Sequence, residues 1–253
     1  MQNNFIFKSV LNFRDIGGTR IHDEKQIRKG VIFRSATPDK ISRSDLKKLI
    51  SLNIKTIIDL RAPCENNSKK IFPDTIDRIS LPLDFEQETR KRLIPFLKRK
   101  GSFKEIDEVI NSLYSDILDA SVPVLRKLVE LLQSPGRSPV LIHCRAGKDR
   151  TGILIALIQM ALNAREESIV EDYMKSNQSL VPYYKKRLML RKIITLGTFP
   201  AGNVLRAIEV KPGNILAIMD RVRDHYGGIE SFLNPPGYER LDLKKLREVL
   251  ITD

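Results

Sequence analysis

Residues 139–162 read PVLIHCRAGKDRTGILIALIQMAL and contain the most informative pattern in the chain. The apolar residues 139–142 predict a short buried strand. The segment Thr151–Leu162 is apolar nearly all round, so it predicts a helix at the centre of the fold. A tight polar loop, residues 143–150, connects the two. The segment therefore predicts a strand, a tight loop and a buried helix in that order.

Patterns on either side of this segment predict further strands and helices. Three more short segments are largely apolar and rich in β-branched residues, as buried strands are: residues 31–33, 54–60 and 76–81. Apolar residues at helical spacing over 46–50 predict a helix, with Ser44 as its N-cap. Ser102–Glu105 matches a capping box and opens a strongly periodic helix. A further helix is expected to begin near Pro123 and to end at the Ser-Pro-Gly of 134–136.

The last third of the chain is predicted to be helical. Residues 215–222 carry apolar side chains at helical spacing, and Gly227 and Gly228 end that helix. Another helix covers 241–250, with Asp242 near its start. Strands that alternate with helices indicate an α/β architecture with a largely parallel sheet flanked by helices on both faces. Since no repeat or low-complexity linker divides the chain, we predict a single domain over residues 1–253.

Composition narrows the class of protein. The 253 residues are 42% hydrophobic and 30% charged, which is typical of a soluble globular protein. The 44 Lys and Arg against 31 Asp and Glu give a net charge of +13. Such a field attracts phosphates, nucleic acids and anionic membranes without choosing among them. No zinc-finger spacing or Arg-rich motif supports nucleic acid, so no nucleic-acid partner is expected.

Other features exclude several kinds of site. Two cysteines build no disulfide framework, and together with three histidines they argue against a structural zinc site. The longest apolar run, Gly152–Leu162, is too short to span a bilayer. The N-terminus has no basic segment followed by a long apolar run, so a cytoplasmic enzyme is expected, although a trimmed secreted chain would look the same.

The loop carries the chemistry. A loop that runs into a helix N-terminus gathers backbone N–H groups and the positive helix end into an anion site. Six predicted phosphate-binding residues form it: Arg145, Ala146, Gly147, Lys148, Asp149 and Arg150. Arg150 can hold two phosphate oxygens with its planar guanidinium. The same positive field stabilises Cys144 as a thiolate, placed for in-line attack on phosphorus. The alternative is an inert buried thiol.

Two further residues are predicted to support the loop. Thr151 can donate its hydroxyl to the sulfur and help it leave, and His143 can orient the loop through a side-chain hydrogen bond. Gly147 lets the backbone approach the phosphate oxygens closely. Gly147-Lys148 is followed by Asp149 rather than by Ser or Thr, so the loop is not an ATP-binding P-loop.

These residues resemble the signature of the cysteine-dependent protein tyrosine phosphatase superfamily, His-Cys-x-x-Gly-x-x-Arg-Thr. The fuller pattern His143–Gly152 is similar to a bacterial branch that acts on phosphotyrosine, phosphoserine/threonine and phosphoinositides. Outlying motifs extend the resemblance over most of the chain, from residue 12 to about residue 233: Asn12–Gly18, Arg34-Ser35, Asp59-Leu60-Arg61 and Tyr226–Glu230.

The resemblance implies a phosphomonoester hydrolase that works through a phosphocysteine at Cys144 and needs no metal or other cofactor. An acid must protonate the leaving oxygen. In the wider superfamily it is an Asp on a separate loop, and Asp84 is placed for that role; the related branch carries an Asp within the loop, which Asp149 matches. Both remain candidates, since each can equally be an ordinary loop carboxylate or structural anchor.

Cys64 follows the Asp59-Leu60-Arg61 motif closely. If its strand lies beside the loop strand, Cys64 can form a reversible disulfide with Cys144 that protects the nucleophile. The alternative is a thiol without a role.

Two basic segments are interleaved with apolar residues. One combines 90–92 with 98–100, and the other is 183–192. An amphipathic basic helix can lie on an anionic membrane surface or close over a site, and it can also be only a solvated helix face. Since related enzymes have a helical lid, a lid is expected around 170–195.

Three functions stay open at this stage. The first is a phosphatase for phosphotyrosine, with phosphoserine and phosphothreonine as further substrates. The second is a phosphoinositide phosphatase of the same mechanism, for which Lys148 and Arg145 supply extra positive charge at the mouth. The third is a phospho-ligand binding module, against which the presence of Cys144, Arg150 and both candidate acids argues.

Overall fold

The computed structural model describes residues 6–66, 72–98 and 102–253. The strands of this part of the chain are β1 (Arg14–Asp15), β2 (Gln26–Ile27), β3 (Ile32–Ser35), β4 (Thr56–Asp59), β5 (Asp77–Ser80), β6 (Val140–His143) and β7 (Ile251–Thr252). The helices are α1 (Arg43–Ser51), α2 (Glu86–Arg92), α3 (Ile94–Lys98), α4 (Phe103–Ala120), α5 (Val122–Gln133), α6 (Arg150–Ala161), α7 (Glu166–Ile194), α8 (Ala201–Ile208), α9 (Pro212–Asp224), α10 (Ile229–Leu233) and α11 (Leu243–Leu250).

The main sheet has the strand order β1-β3-β6-β4-β5. The four strands from β3 to β5 run parallel, and only the short edge strand β1 is antiparallel to its neighbour. Strands β2 and β7 form a separate antiparallel pair. Because β6 is central, the loop that follows it opens at the middle of the carboxyl edge of the sheet, where α/β folds bind ligands.

Alternating side chains of the parallel strands cover both faces of the sheet. Phe33, Ile57 and Leu141 pack with Leu49 of α1 on one face. The neighbouring residues of the same strands join the larger core formed with α4, α5 and α6 on the other face. This follows from the two-residue period of a strand, which sends successive side chains to opposite faces. The predicted α/β architecture with a largely parallel, helix-flanked sheet is confirmed.

The N-termini of two helices, α4 and α1, test the caps predicted from the sequence. At α4 the predicted capping box is present: the Ser102 hydroxyl accepts from the Glu105 amide, and the Glu105 carboxylate accepts from the Ser102 amide. At α1 the predicted N-cap, Ser44, is wrong. Ser42 has the extended backbone of a cap and accepts from the Asp45 amide at 3.2 Å, whereas Ser44 already lies within the first turn.

Helix α6 is buried along almost its whole length, as its uniformly apolar sequence predicts. It packs against α4, α5, α7, α9 and α10. A helix with no polar face is stable only when other elements cover all its sides. The loop before it is therefore anchored at both ends, by a central strand and by a central helix.

Helix α7 is 29 residues long and contains nearly all of the segment predicted as a lid. Its first half belongs to the body of the protein, with Ile169, Tyr173 and Leu180 buried. Beyond residue 180 its side chains are mostly exposed or half-buried: from 181 to 197 only Leu188 is buried. Of the other basic segment, 90–92 lies on α2 and Lys98 ends α3, while Arg99 and Lys100 lie outside the described residues. Within the described ranges, every helix is too short or too polar to cross a membrane.

Candidate active site

The loop between β6 and α6 has a shape that only glycine permits at one position. Gly147 has a φ of +67°, and a Cβ added there would lie 2.2 Å from the carbonyl oxygen of Ser35. A side chain is therefore excluded both by the backbone conformation and by the close approach of β3. The glycine lets the loop turn tightly from the end of β6 into the first turn of α6.

A cavity of about 190 Å³ opens over this loop. Loop residues form one side of it: Cys144, Arg145, Ala146, Lys148, Asp149 and Arg150. Apolar side chains from the elements around it form much of the rest: Phe85, Leu93, Ile110, Leu113, Ile117 and Ala207. Cys144 is only 2% exposed, so its sulfur can be reached only through the cavity. The arrangement joins a nucleophile, a helix N-terminus and apolar walls in one enclosed space.

Arg150 reaches the cavity from the first position of α6. Its guanidinium donates two hydrogen bonds to the Glu65 carboxylate, at 2.5 Å and 2.9 Å. Burial opposes the charge on Arg150, but the Glu65 hydrogen bonds and the negative charge of Cys144 outweigh it, so the pKa of Arg150 is raised. Glu65 was not predicted from the sequence. Since it also lines the cavity, it fixes the plane of the guanidinium beside the sulfur.

Asp149 lines the cavity, and its carboxylate has two partners. The Tyr114 hydroxyl from α4 donates to it, and so does the Lys148 ammonium at 2.6 Å. Tyr114 is also hydrogen-bonded to the Tyr173 hydroxyl of α7 at 2.8 Å. Burial, reinforced by the nearby Asp149 charge, raises the pKa of Tyr114 well above its usual value, so the phenol keeps its proton. Tyr114 is a second residue that the sequence did not single out.

Asp84 lies elsewhere. It is exposed in the loop between β5 and α2, and its carboxylate accepts from the Glu86 amide at 3.3 Å. Its neighbours Phe85 and Glu86 line the cavity, but Asp84 does not. Of the two candidate acids, the structure therefore brings Asp149 to the cavity together with Cys144 and leaves Asp84 outside it.

The two predicted supporting residues differ in what they contact. His143 is buried, and its Nδ1 lies 3.4 Å from the carbonyl oxygen of Cys144. Burial lowers the pKa of His143 to about 4, despite the nearby Asp59 carboxylate, so the ring is neutral. Thr151 is fully buried, and its hydroxyl has no hydrogen-bond partner among the described residues. The predicted hydrogen bond from Thr151 to the Cys144 sulfur is therefore not present in this structure.

The N-terminal motifs support the loop from behind. Gly147 does not line the cavity; its carbonyl oxygen accepts from the Asn12 side chain at 2.9 Å and from Arg34 at 2.8 Å. Arg34 and Arg14 are in turn both bound by the Asp172 carboxylate of α7. Burial acts against that carboxylate, but the charges of the two arginines lower the pKa of Asp172 to about 2. Asp172 is a third residue missed by sequence analysis.

Comparison with known proteins places this geometry in a family. The sequence profile of the tyrosine phosphatase family matches residues 6–252. The chain belongs to this tyrosine phosphatase family. The triple specificity protein phosphatase PtpB of Mycobacterium tuberculosis is 28% identical over 272 aligned positions, which cover 95% of this chain and 96% of PtpB.

Two further proteins have a lower sequence identity to this chain, and the alignments cover less of their length. A tyrosine-protein phosphatase predicted in Cupriavidus necator is 26% identical over 233 residues, covering 92% of this phosphatase and 83% of that protein. Among solved structures, the core catalytic domain of the S. cerevisiae PP-IP phosphatase SIW14 aligns with a TM-score of 0.37 at 22% identity. That alignment covers 65% of this chain and 75% of that domain.

The mouth of the phosphatase cavity carries positive charge. Arg145 has a side chain that is 71% exposed, and its guanidinium lies 3.8 Å from the Glu86 carboxylate of α2. The charge of Arg145 also reaches Tyr184 of α7, where it partly offsets the rise that burial causes in the pKa of that phenol.

The second cysteine of the phosphatase, Cys64, is exposed and is not bonded to the buried Cys144. It precedes Glu65 directly, but it does not line the cavity. A reversible disulfide between the two cysteines stays a prediction.

Proposed function

We propose that this phosphatase hydrolyses phosphotyrosine, with other phosphomonoesters as further substrates, through a phosphocysteine at Cys144. The observation that carries the proposal is the buried cysteine on the cavity wall, directly before a helix N-terminus and beside Arg150. A thiolate in this position faces the phosphorus of a phosphate held by the loop amides and the guanidinium.

The reaction proceeds in two steps. In the first, the Cys144 thiolate attacks phosphorus, the P–O bond to the leaving group breaks, and the leaving oxygen takes a proton from an acid. In the second, water attacks the phosphocysteine, the P–S bond breaks, and orthophosphate and thiolate are released. Arg150 and the loop amides stabilise the charge on the three non-bridging oxygens in both steps. Their fixed positions mean that little reorganisation is needed as the charge moves.

Asp149 is the acid favoured by this geometry. Its carboxylate lines the cavity with the nucleophile, and Tyr114 and Lys148 hold it in place. A bound phosphate dianion would favour the protonated form of a neighbouring carboxyl, which is the form that donates to the leaving oxygen. Asp84 would have to move from its exposed loop to reach the same oxygen.

The cavity walls support an aromatic substrate. Five apolar side chains from 85 to 117 face the space above the sulfur, which suits the ring of phosphotyrosine better than a short serine side chain. Phosphoinositide hydrolysis is the second candidate. The exposed Arg145 at the mouth supports it, because a polyanionic headgroup offers further phosphates to that guanidinium.

The test compares Cys144→Ser with Cys64→Ser on phosphotyrosine peptides, phosphoserine and phosphothreonine peptides and phosphoinositides, with chelator present. We expect Cys144→Ser to lose turnover by at least about a thousandfold. It should still bind inorganic phosphate in calorimetry, since the loop amides and Arg150 remain. Cys64→Ser, which replaces a cysteine outside the cavity, should keep wild-type turnover.

Several results would contradict the proposal. Turnover that survives in Cys144→Ser would exclude the phosphocysteine. Phosphate binding by the wild type without turnover of any substrate would indicate a binding module. Strong, steeply salt-dependent DNA binding without phosphatase activity would indicate a nucleic-acid protein. A clear preference for phosphoinositides would favour the second candidate.

A further inference from the structure

The C-terminal end of α7 and the turn after it expose an unusual amount of apolar surface. The side chains of Met189, Leu190, Ile193, Ile194 and Leu196 are between 60% and 92% exposed. They are five of the ten large apolar side chains that are exposed among the described residues. We call residues 185–196 the α7 tip. Exposed apolar groups that cluster in this way mark an interaction surface rather than ordinary surface variation.

The apolar side chains of the tip share one side of the helix. At 3.6 residues per turn, Met189, Leu190, Ile193 and Ile194 occupy an arc of roughly 140°. Leu188, which is buried, lies on the opposite side of the helix. The arc therefore points away from the body of the protein and forms a convex ridge without a groove.

Basic residues surround this ridge: Lys185 and Lys192 lie along one side of it and Arg187 and Arg191 along the other, while Lys186 lies in line with the ridge at its N-terminal end. None of them forms an ion pair with a carboxylate among the described residues. The chain from 173 to 208 contains no Asp or Glu at all. The α7 tip is therefore an apolar surface with unneutralised positive charge, whose partner must supply negative charge and accept apolar side chains.

The other basic segment, residues 90–92 with 98–100, differs from the α7 tip in its ion pairing and in the burial of its apolar neighbours. On α2, Arg90 is paired with Glu86, and Arg92 with Asp116. The apolar residues Leu93 and Phe96 beside them pack against the core. A similar basic and apolar sequence is therefore paired and packed within the protein near α2, whereas on the α7 tip it is exposed to solvent. Only the structure separates the two.

We propose that the α7 tip docks the protein on an anionic lipid surface. A convex apolar ridge with basic flanks fits a deformable boundary of acyl chains and acidic headgroups, whereas a folded protein partner would need a preformed groove to receive it. A second copy of the chain would bring five positive charges against five others. Against the rise that burial causes, the charge of Arg145 at the cavity mouth lowers the pKa of Tyr184 in α7, and Ile193 is nine residues beyond Tyr184, about 14 Å along the helix. Docking would hold the mouth near the membrane.

Vesicle sedimentation tests the proposal on the full chain. We expect binding to phosphatidylcholine vesicles containing 30% phosphatidylserine and little binding to pure phosphatidylcholine. Neutralising two tip lysines in K185Q/K186Q should weaken binding about 25-fold, because each cation near an anionic surface contributes about fivefold. The matched control K244Q/K245Q removes two exposed lysines from α11 and should bind as the wild type does.

A second pair of variants tests insertion of the apolar ridge. The chain has no tryptophan, so I193W provides a single reporter on the ridge, and Y238W provides one at an exposed site elsewhere. The emission of I193W should shift to the blue on anionic vesicles and that of Y238W should not. I193S/I194S/L196S should lose binding at least tenfold, while the control I6S/I50S should not.

The outcomes separate this proposal from the proposed chemistry, on which it does not rest. Hydrolysis of a soluble aryl phosphate should be unchanged in all tip variants, which also shows that they fold. The docking proposal is overturned if binding to anionic vesicles equals binding to neutral ones, or if the tip variants bind within twofold of their controls. It is also overturned if the wild type dimerises through the tip, seen in sedimentation velocity as a dimer lost in I193S/I194S/L196S while vesicle binding persists.

Discussion

Glu65 and Arg150 form a two-point ion pair in which each guanidinium Nη atom meets one carboxylate oxygen, although the residues are 85 positions apart in the chain. Both side chains are largely buried, with exposures of 6% and 12%. A planar group held at two points cannot rotate, so the remaining donors of Arg150 keep a fixed direction. The pair gives Glu65 a positioning role for the proposed phosphate site.

Glu65→Gln should lower kcat/KM for an aryl phosphate by about ten- to a hundredfold, because small misplacements of a catalytic group cost rates of this order. Asp77→Asn, which breaks the exposed Arg137–Asp77 ion pair, is the control and should stay within twofold of the wild type. Thermal unfolding of both variants checks that the fold is intact. Equal activity of the two variants would contradict the positioning role.

The two candidate acids can be separated by the leaving group. An aryl phosphate with a good leaving group needs little protonation, whereas an alkyl phosphate needs much. Asp149→Asn should therefore lose about a hundredfold or more on alkyl phosphates and clearly less on aryl phosphates, while Asp84→Asn loses little on either. The reverse pattern would make Asp84 the acid, and an equal loss on both substrates would remove the acid role from the mutated residue.

Gly147 should be intolerant of alanine for two separable reasons. The first reason is its positive φ, which alanine adopts only at a cost; the second is the close approach of β3. Gly136 also has a positive φ but no atom within 4 Å of an added Cβ, so Gly136→Ala should cost about 1 kcal/mol of unfolding free energy. Gly147→Ala adds a clash with the Ser35 carbonyl and should cost roughly 3 kcal/mol or more. Denaturant unfolding measures both. A similar loss in the two variants would show that the close approach of β3 does not constrain the loop.

Asp172 should make stability depend on pH in the acid range. Its pKa is lowered from 3.8 to about 2 in the folded state, so the native protein binds fewer protons than the unfolded chain between these values. The stabilisation is complete above about pH 4 and is lost as the pH falls toward 2; it amounts to about 2 kcal/mol.

The difference in unfolding free energy between the wild type and Asp172→Asn should therefore shrink by about this amount between pH 4 and pH 2. Glu171→Gln, an exposed neighbour on the same helix, serves as control and should show no such convergence. A difference that stays constant across the range would mean that Asp172 is not held by Arg14 and Arg34 as the structure has it.

Much of the fold could be predicted because the signals are local. The capping box from Ser102 to Glu105 gives hydrogen-bond acceptors to two backbone amides within four residues. The local sequence is therefore enough to place the start of α4. The choice between Ser42 and Ser44 for α1 is different. Both are serines, and only the path of the chain shows which has an extended backbone at the helix boundary.

The candidate site divides in the same way. Cys144, Lys148, Asp149 and Arg150 belong to one loop whose order alone places them around the end of a helix. Glu65 and Tyr114 were missed because each reaches the loop from another element, and Asp172 was missed because it acts on the loop only through Arg34. An isolated Glu, Tyr or Asp in a helix or turn carries no sequence signal that separates it from a surface residue.

Hydrophobic periodicity and one short motif act over neighbouring residues, so the parallel sheet, the buried helix and the loop with its nucleophile could be predicted from the chain alone. Three features depend on the packing of distant elements: the carboxylate that holds Arg150, the Asp that shares the cavity with Cys144, and the basic segment that stays unpaired. The contacts that hold Arg150 and Asp149 join residues 85 and 35 positions apart, and burial and ion pairing between such residues depend on how the helices pack over the sheet.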